Sequence, residues 1–120
     1  DHVDVIEQSG DGAALLECWK NADTVILIDA VSSGTQPGTI HRIDAHAESI
    51  PANFFHYSTH AFGVAEAIEL ARSLNQLPLC VTIYGIEGKC FETGVGLSPE
   101  VERGARKVLA RVLQDIRSTI

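Results

Sequence analysis

Thr24-Val25-Ile26-Leu27-Ile28, followed at once by Asp29-Ala30-Val31, is the stretch on which the fold turns. Every residue from Thr24 to Ile28 is β-branched or aliphatic, so both faces of the strand it predicts are apolar. Strands of that kind lie inside parallel sheets, with helices covering each side. Leu79-Cys80-Val81-Thr82-Ile83-Tyr84-Gly85-Ile86 reads as a second buried strand. Between them, Ser32 to Gly38 is rich in turn formers and predicts a loop. Thr39-Ile40-His41-Arg42-Ile43 alternates, as an edge strand or hairpin arm does.

Helices fill the rest. Residues 45–57 are irregular. Ser58 or Thr59 is placed to cap a helix from His60 to Asn75, whose apolar face carries Ala61, Val64, Ala65, Ile68, Ala71 and Leu74. A Gly-containing loop is expected from Glu87 to Leu97. Ser98-Pro99-Glu100 then opens a final helix with a capping hydroxyl, Pro in the first turn and an acid at the positive end of the dipole. That helix is expected to bury Val101, Ala105, Val108, Leu109, Val112, Leu113 and Ile116, with Glu102 and Arg106 paired one turn apart outside. Upstream, Val3-Asp4-Val5-Ile6 predicts a short strand, Gln8 to Gly12 a break, and Ala13 to Trp19 a short helix. The order β-α-β-β-α-β-α implies an α/β three-layer sandwich, with a mostly parallel twisted sheet between helices. Residues 1–120 are expected to form a single domain.

Charge and cysteine content narrow the function. The net charge is −7 and no run of Lys and Arg accumulates, so no nucleic-acid partner is expected. No apolar run reaches the length of a membrane span, and Asp1-His2-Val3-Asp4 has neither the basic start nor the apolar stretch of a signal peptide. Cys18, Cys80 and Cys90 are odd in number and lack metal-site spacing, which points to thiols in a reducing cytoplasm. Cys18 and Cys80 sit among apolar residues and are expected in the core; Cys90 is expected in a loop. The absence of Met and the strand-like opening are expected of a chain that continues upstream of Asp1.

Two residues stand out chemically. Asp29 follows directly on an apolar strand, and in open parallel sheets the functional crevice lies at the carboxyl ends of the strands. The plainer alternative is a turn-forming Asp. His60 stands at the expected start of a helix, where the dipole favours the neutral, metal-binding imidazole. In a parallel fold both places face one edge of the sheet, and a carboxylate with an imidazole is half of a transition-metal site. Surface positions are expected for His2, His41, His46 and His56. GxSxG, HExxH and phosphate-loop motifs are absent.

Three blocks carry a resemblance. Val25 to Val31 followed by Pro37-Gly38-Thr39, then Ser58-Thr59-His60-Ala61-Phe62-Gly63-Val64, then Gly85-Ile86-Glu87 with Gly94 to Val101, occur in order along the chain. Together they resemble the hydrogenase maturation endopeptidases, which have a phosphorylase/hydrolase-like fold with a five-stranded sheet. The resemblance implies cytoplasmic endoproteolysis, by a monomer, of the large-subunit precursor of a nickel–iron hydrogenase once nickel has been inserted. It places the metal-contacting Asp on Asp29, also the candidate catalytic residue, and the metal-contacting His on His60. The nickel is thought to belong to the precursor. The family's first strand-helix unit, with its Gly-x-Gly-Asn turn and third, acidic ligand, has no counterpart here and is expected upstream of Asp1.

Two other readings compete. A phospho-receiver domain would carry its phosphate on Asp29 and needs a Lys ending a late strand, whereas Lys89 falls beyond the strand. A non-catalytic truncated relative would bind the hydrogenase precursor without cutting it.

Overall fold

The computed structural model describes residues 4–51, 54–55, 61–88 and 99–119. Its elements, in chain order, are α1 (Gly12–Cys18), β1 (Thr24–Val31), β2 (Ile40–Asp44), α2 (Val64–Ser73), β3 (Cys80–Glu87) and α3 (Pro99–Thr119). β3 is the middle strand of three, parallel to β1 and antiparallel to β2. The α/β sandwich is therefore present, with a mixed sheet among the described residues. β2 is the edge strand its alternation predicts.

The two faces of β3 sort the helices into layers. Val81 and Ile83 join Leu15 and Trp19 of the α1 region, and Ala67, Ile68 and Ala71 of α2, in one core. Tyr84 and Ile86 point the other way and meet Val101 and Val108 of α3. Alternation along a strand sends successive side chains to opposite layers, so one strand serves both cores. Tyr84 is buried, and its hydroxyl donates to Asp115 at 2.5 Å, tying α3 to the sheet. Glu102 and Arg106 pair at 2.9 Å on the outer face of α3, as their spacing predicts.

Several expectations change. Residues 4–9 form no strand, and Val5 is 94% exposed. A strand exists through its ladder, and among the described residues no strand lies beside this segment or beside the outer edge of β1. Ile28 is accordingly half exposed, where two-sided cover was expected.

α2 starts at Val64 rather than His60. Gly63 is extended, and its N–H donates to Glu66 Oε1 at 2.7 Å, which closes the first turn there. The expected caps Ser58 and Thr59 lie outside the described residues. α2 buries Ala67, Ile68 and Ala71, whereas Leu74 is exposed.

Leu109 and Leu113 are exposed, although the apolar stripe of α3 predicted burial. The helix meets the sheet through Val101, Gly104, Ala105, Val108 and Val112, and the three strands among the described residues are too narrow to cover the whole stripe. Cys18 and Cys80 are also exposed: Cys18 is the last residue of α1 and Cys80 the first of β3, beyond the packed interior.

Candidate functional site

β1 and β3 end together, and Asp29 lies opposite Gly85 near that end. His41 of β2 lies opposite the same glycine from the other side. Residues in register share a face, so Asp29 and His41 flank Gly85 on the side of the sheet that carries α1 and α2. A Cβ on Gly85 would come within 2.7 Å of both the Phe54 ring and Val31 Cγ1. Phe54 thus fills the space above the glycine, and its ring meets His41 edge-on at 5.5 Å.

Asp29 is exposed as a residue, yet the surrounding chain partly desolvates its carboxyl. That desolvation raises its pKa from the ordinary 3.8, against the opposing effect of the Ala30 N–H, which donates to Oδ1 at 2.8 Å. Among the described residues no cation pairs with it. An accessible carboxylate without a counter-ion at the carboxyl end of a parallel strand is suited to accept a proton or contact a cation.

A second acid lies deeper. Glu87, the last residue of β3, is 2% exposed and faces the connection from β1 to β2. Because β3 lies between those strands, residues 32–39 must cross over its end. They do so around Glu87. The Ser33 N–H donates to both carboxylate oxygens, at 3.1 and 3.0 Å. The hydroxyls of Ser33 and Thr35 donate to Oε1 at 2.6 and 2.8 Å, and His41 Nε2 stands 3.2 Å from the same oxygen. The Glu87 backbone is held as well, accepting from Gly38 N–H at 2.8 Å and donating to Thr39 C=O at 2.9 Å. Burial alone would push the Glu87 carboxyl up, but the donors from Ser33, Thr35 and His41 prevail and hold its pKa below the ordinary 4.5.

The crossing ends in a tight turn. Thr39 N–H donates to Gln36 C=O at 3.1 Å, with Pro37 and Gly38 at the two central positions. Gly38 has φ of +87°, as the third residue of a type II turn requires. A Cβ there would overlap the Glu100 carbonyl of α3, so the same glycine also permits contact with the helix.

Ser33, His41 and Glu87 are not a hydrolytic triad. In a triad the acid holds one imidazole nitrogen and the serine the other. Here Ser33 Oγ, at 3.3 Å, and Glu87 both face Nε2, and Ser33 gives its proton to Glu87.

Of the residues marked by the sequence, Asp29 lies within β1, two residues before its end, rather than directly after the strand. His60 lies outside the described residues, as do His2, His56, Lys89 and Cys90. His41, expected at the surface, is instead drawn to the buried Glu87. His46 Nε2 lies 2.6 Å from the Pro78 carbonyl oxygen, in a partly buried contact. No three His, Cys, Asp or Glu residues converge on a metal position among the described residues. β3 ends in Glu87, not in the Lys a receiver domain needs there. Glu87, expected in the loop that follows the strand, is instead the last residue of β3. The signal for it was present: an acid ending an apolar strand, the pattern that marked Asp29.

Comparison with known proteins agrees with this arrangement. The profile of the hydrogenase maturation protease family, HycI, matches residues 1–115. The hydrogenase 2 maturation protease of Escherichia coli is 31% identical over 121 residues, which are 99% of this chain and 73% of the relative. A protein of Methanocaldococcus jannaschii, also named as a hydrogenase maturation protease, is 32% identical over 98% of this chain and 77% of its own length. Among solved structures, the hydrogenase maturating endopeptidase HybD from Escherichia coli superposes with a TM-score of 0.71 at 26% identity, over 92% of this chain and 68% of that one. An Escherichia coli endopeptidase solved in solution gives 0.73 at 31% identity, over 90% and 67%. The chain belongs to the hydrogenase maturation protease family, a family of hydrolytic enzymes.

Proposed function

We propose that this chain is the endopeptidase that removes the C-terminal extension of a nickel–iron hydrogenase large-subunit precursor after nickel insertion, acting as a cytoplasmic monomer. The observation that carries the reading is Asp29: an exposed, partly desolvated carboxylate at the end of a parallel strand, in a chain of this family. Asp29 and His60 contact the nickel that the precursor brings. Support for His60 comes from connectivity. α2 is joined to β3 by residues 74–79, so it runs back along the sheet and begins at the edge where β1 and β3 end. His60 precedes its first residue by four positions.

In the reaction, water oxygen bonds to the scissile carbonyl carbon, the C–N bond breaks, and the water proton passes to the leaving amine. Asp29 either takes that proton as general base or orients the precursor through its nickel. Nickel beside the scissile bond would polarise the carbonyl.

The test is a gel assay with nickel-loaded and nickel-free precursor. The expected result is trimming of the loaded form only, slowed about a hundredfold or more by Asp29→Asn or His60→Ala. Processing at the normal rate by either variant would remove that residue from the mechanism.

A further inference from the structure

We propose that Glu87 is a positioning residue for this reaction, fastening the β1–β2 connection over the end of β3 and thereby fixing the strand end that carries Asp29. The inference rests on the cleavage reading above. Glu87 is 2% exposed and its oxygens are taken up by Ser33, Thr35 and His41, so it has no access to a substrate.

Its placement is nevertheless specific to the rim. Ser33 follows Asp29 by four residues, and two of its donors end on Glu87. β1 is an edge strand, held by the β3 ladder on one side only among the described residues. The end of such a strand relies on whatever anchors the chain beyond it. Here Ser32 N–H donates to the Phe54 carbonyl at 3.2 Å, Gly88 N–H donates to the Val31 carbonyl at 3.1 Å, and Glu87 gathers Ser33, Thr35 and His41. A buried carboxylate is a costly way to fill space, and apolar residues of similar volume generally stabilise a core at least as well. Its use is geometric: one acceptor on β3 draws the β1–β2 connection and β2 to one point. Displacements of about 1 Å at a reacting group cost about a hundredfold in rate, so such an anchor bears on turnover.

The experiment compares Glu87→Gln, Glu87→Asp, Ser33→Ala and Thr35→Val with the wild-type chain. Val108→Ala serves as a control that weakens the fold from the opposite core. Three quantities are read: thermal midpoint, amide exchange over residues 32–39, and kcat and KM on nickel-loaded precursor. Glu87→Gln is expected to speed exchange over 32–39 about tenfold and to lower kcat about tenfold with KM within twofold. Glu87→Asp is expected to recover part of the rate. Val108→Ala is expected to keep both exchange in that segment and kcat. Should Glu87→Gln fail to fold, Ser33→Ala and Thr35→Val, which each remove one hydroxyl donor, carry the same expectation in smaller measure.

Wild-type exchange and kcat in Glu87→Gln would overturn the proposal. So would an equal loss of kcat in Val108→Ala at matched stability, which would reduce Glu87 to general support. A wild-type chain that never trims the precursor would sink the cleavage reading instead. Exchange over 32–39 needs no substrate, and would then decide the anchor alone.

Discussion

Asp29 and Glu87 show how neighbouring strand ends set two carboxylates to different uses. Partial desolvation, with no cation paired to it among the described residues, leaves Asp29 accessible and its pKa raised. Full burial with three donor residues leaves Glu87 ionised and occupied. The sign of the Glu87 shift makes a prediction. Its folded pKa lies below 4.5, so its contribution to stability is complete above that value and is lost as pH falls through the folded pKa. The stability advantage of wild type over Glu87→Gln should be constant from pH 7 to about 5 and shrink progressively below about 4.5. Urea unfolding across that range checks it; an advantage unchanged down to pH 3 would show that the charge of Glu87 contributes nothing. Removal of the carboxylate by Glu87→Ala leaves buried donors unmatched, at about 1–3 kcal/mol.

Helix α3 marks the limit of periodicity as a guide at the level of elements. Its spacing selects Val101, Ala105, Val108 and Val112 correctly as the inward stripe. It also selects Leu109 and Leu113, which the structure leaves 57% and 45% exposed. Amphipathic spacing identifies the residues able to face a sheet; the width of the sheet determines how many do. Val108→Ala, in a position 1% exposed, should therefore cost about 2 kcal/mol, while Leu109→Ala should cost less than about 1 kcal/mol. Denaturant midpoints compare the two, and equal losses would mean that Leu109 is covered in solution. In α2 the same periodicity found Ile68 and Ala71, but Gly63 set the start. A glycine in extended conformation, bonded back by Glu66, closes the first turn there.

For the molecule as a whole, the open side of β1 is the feature with the widest consequence. Among the described residues its outer edge has no strand beside it, and Ile28 is 51% exposed there. Unpaired edges with apolar side chains invite pairing between molecules, and a charge on the edge discourages it. Concentrated solutions of the chain should scatter light increasingly with time, and Ile28→Lys should suppress that scattering while moving the folding free energy by less than about 0.5 kcal/mol. Unchanged scattering would place the self-associating surface elsewhere.

Composition and order of apolar runs determined the fold class, the buried strand β3 and the edge strand β2, because alternation and β-branching act locally; that β1 is an edge strand as well was not legible. The same reading singled out Asp29, since a strand end is visible in one dimension. It marked the blocks of a protease family, because short signatures keep their spacing whatever the chain does between them. Tertiary structure alone decided that β3 lies between β1 and β2, and hence that residues 32–39 cross over Glu87. Ser33, Thr35 and His41 reach that carboxylate across 54, 52 and 46 positions of sequence. No local pattern encodes such a meeting: it follows from strand order, which is set by the packing of two cores on opposite faces of one sheet.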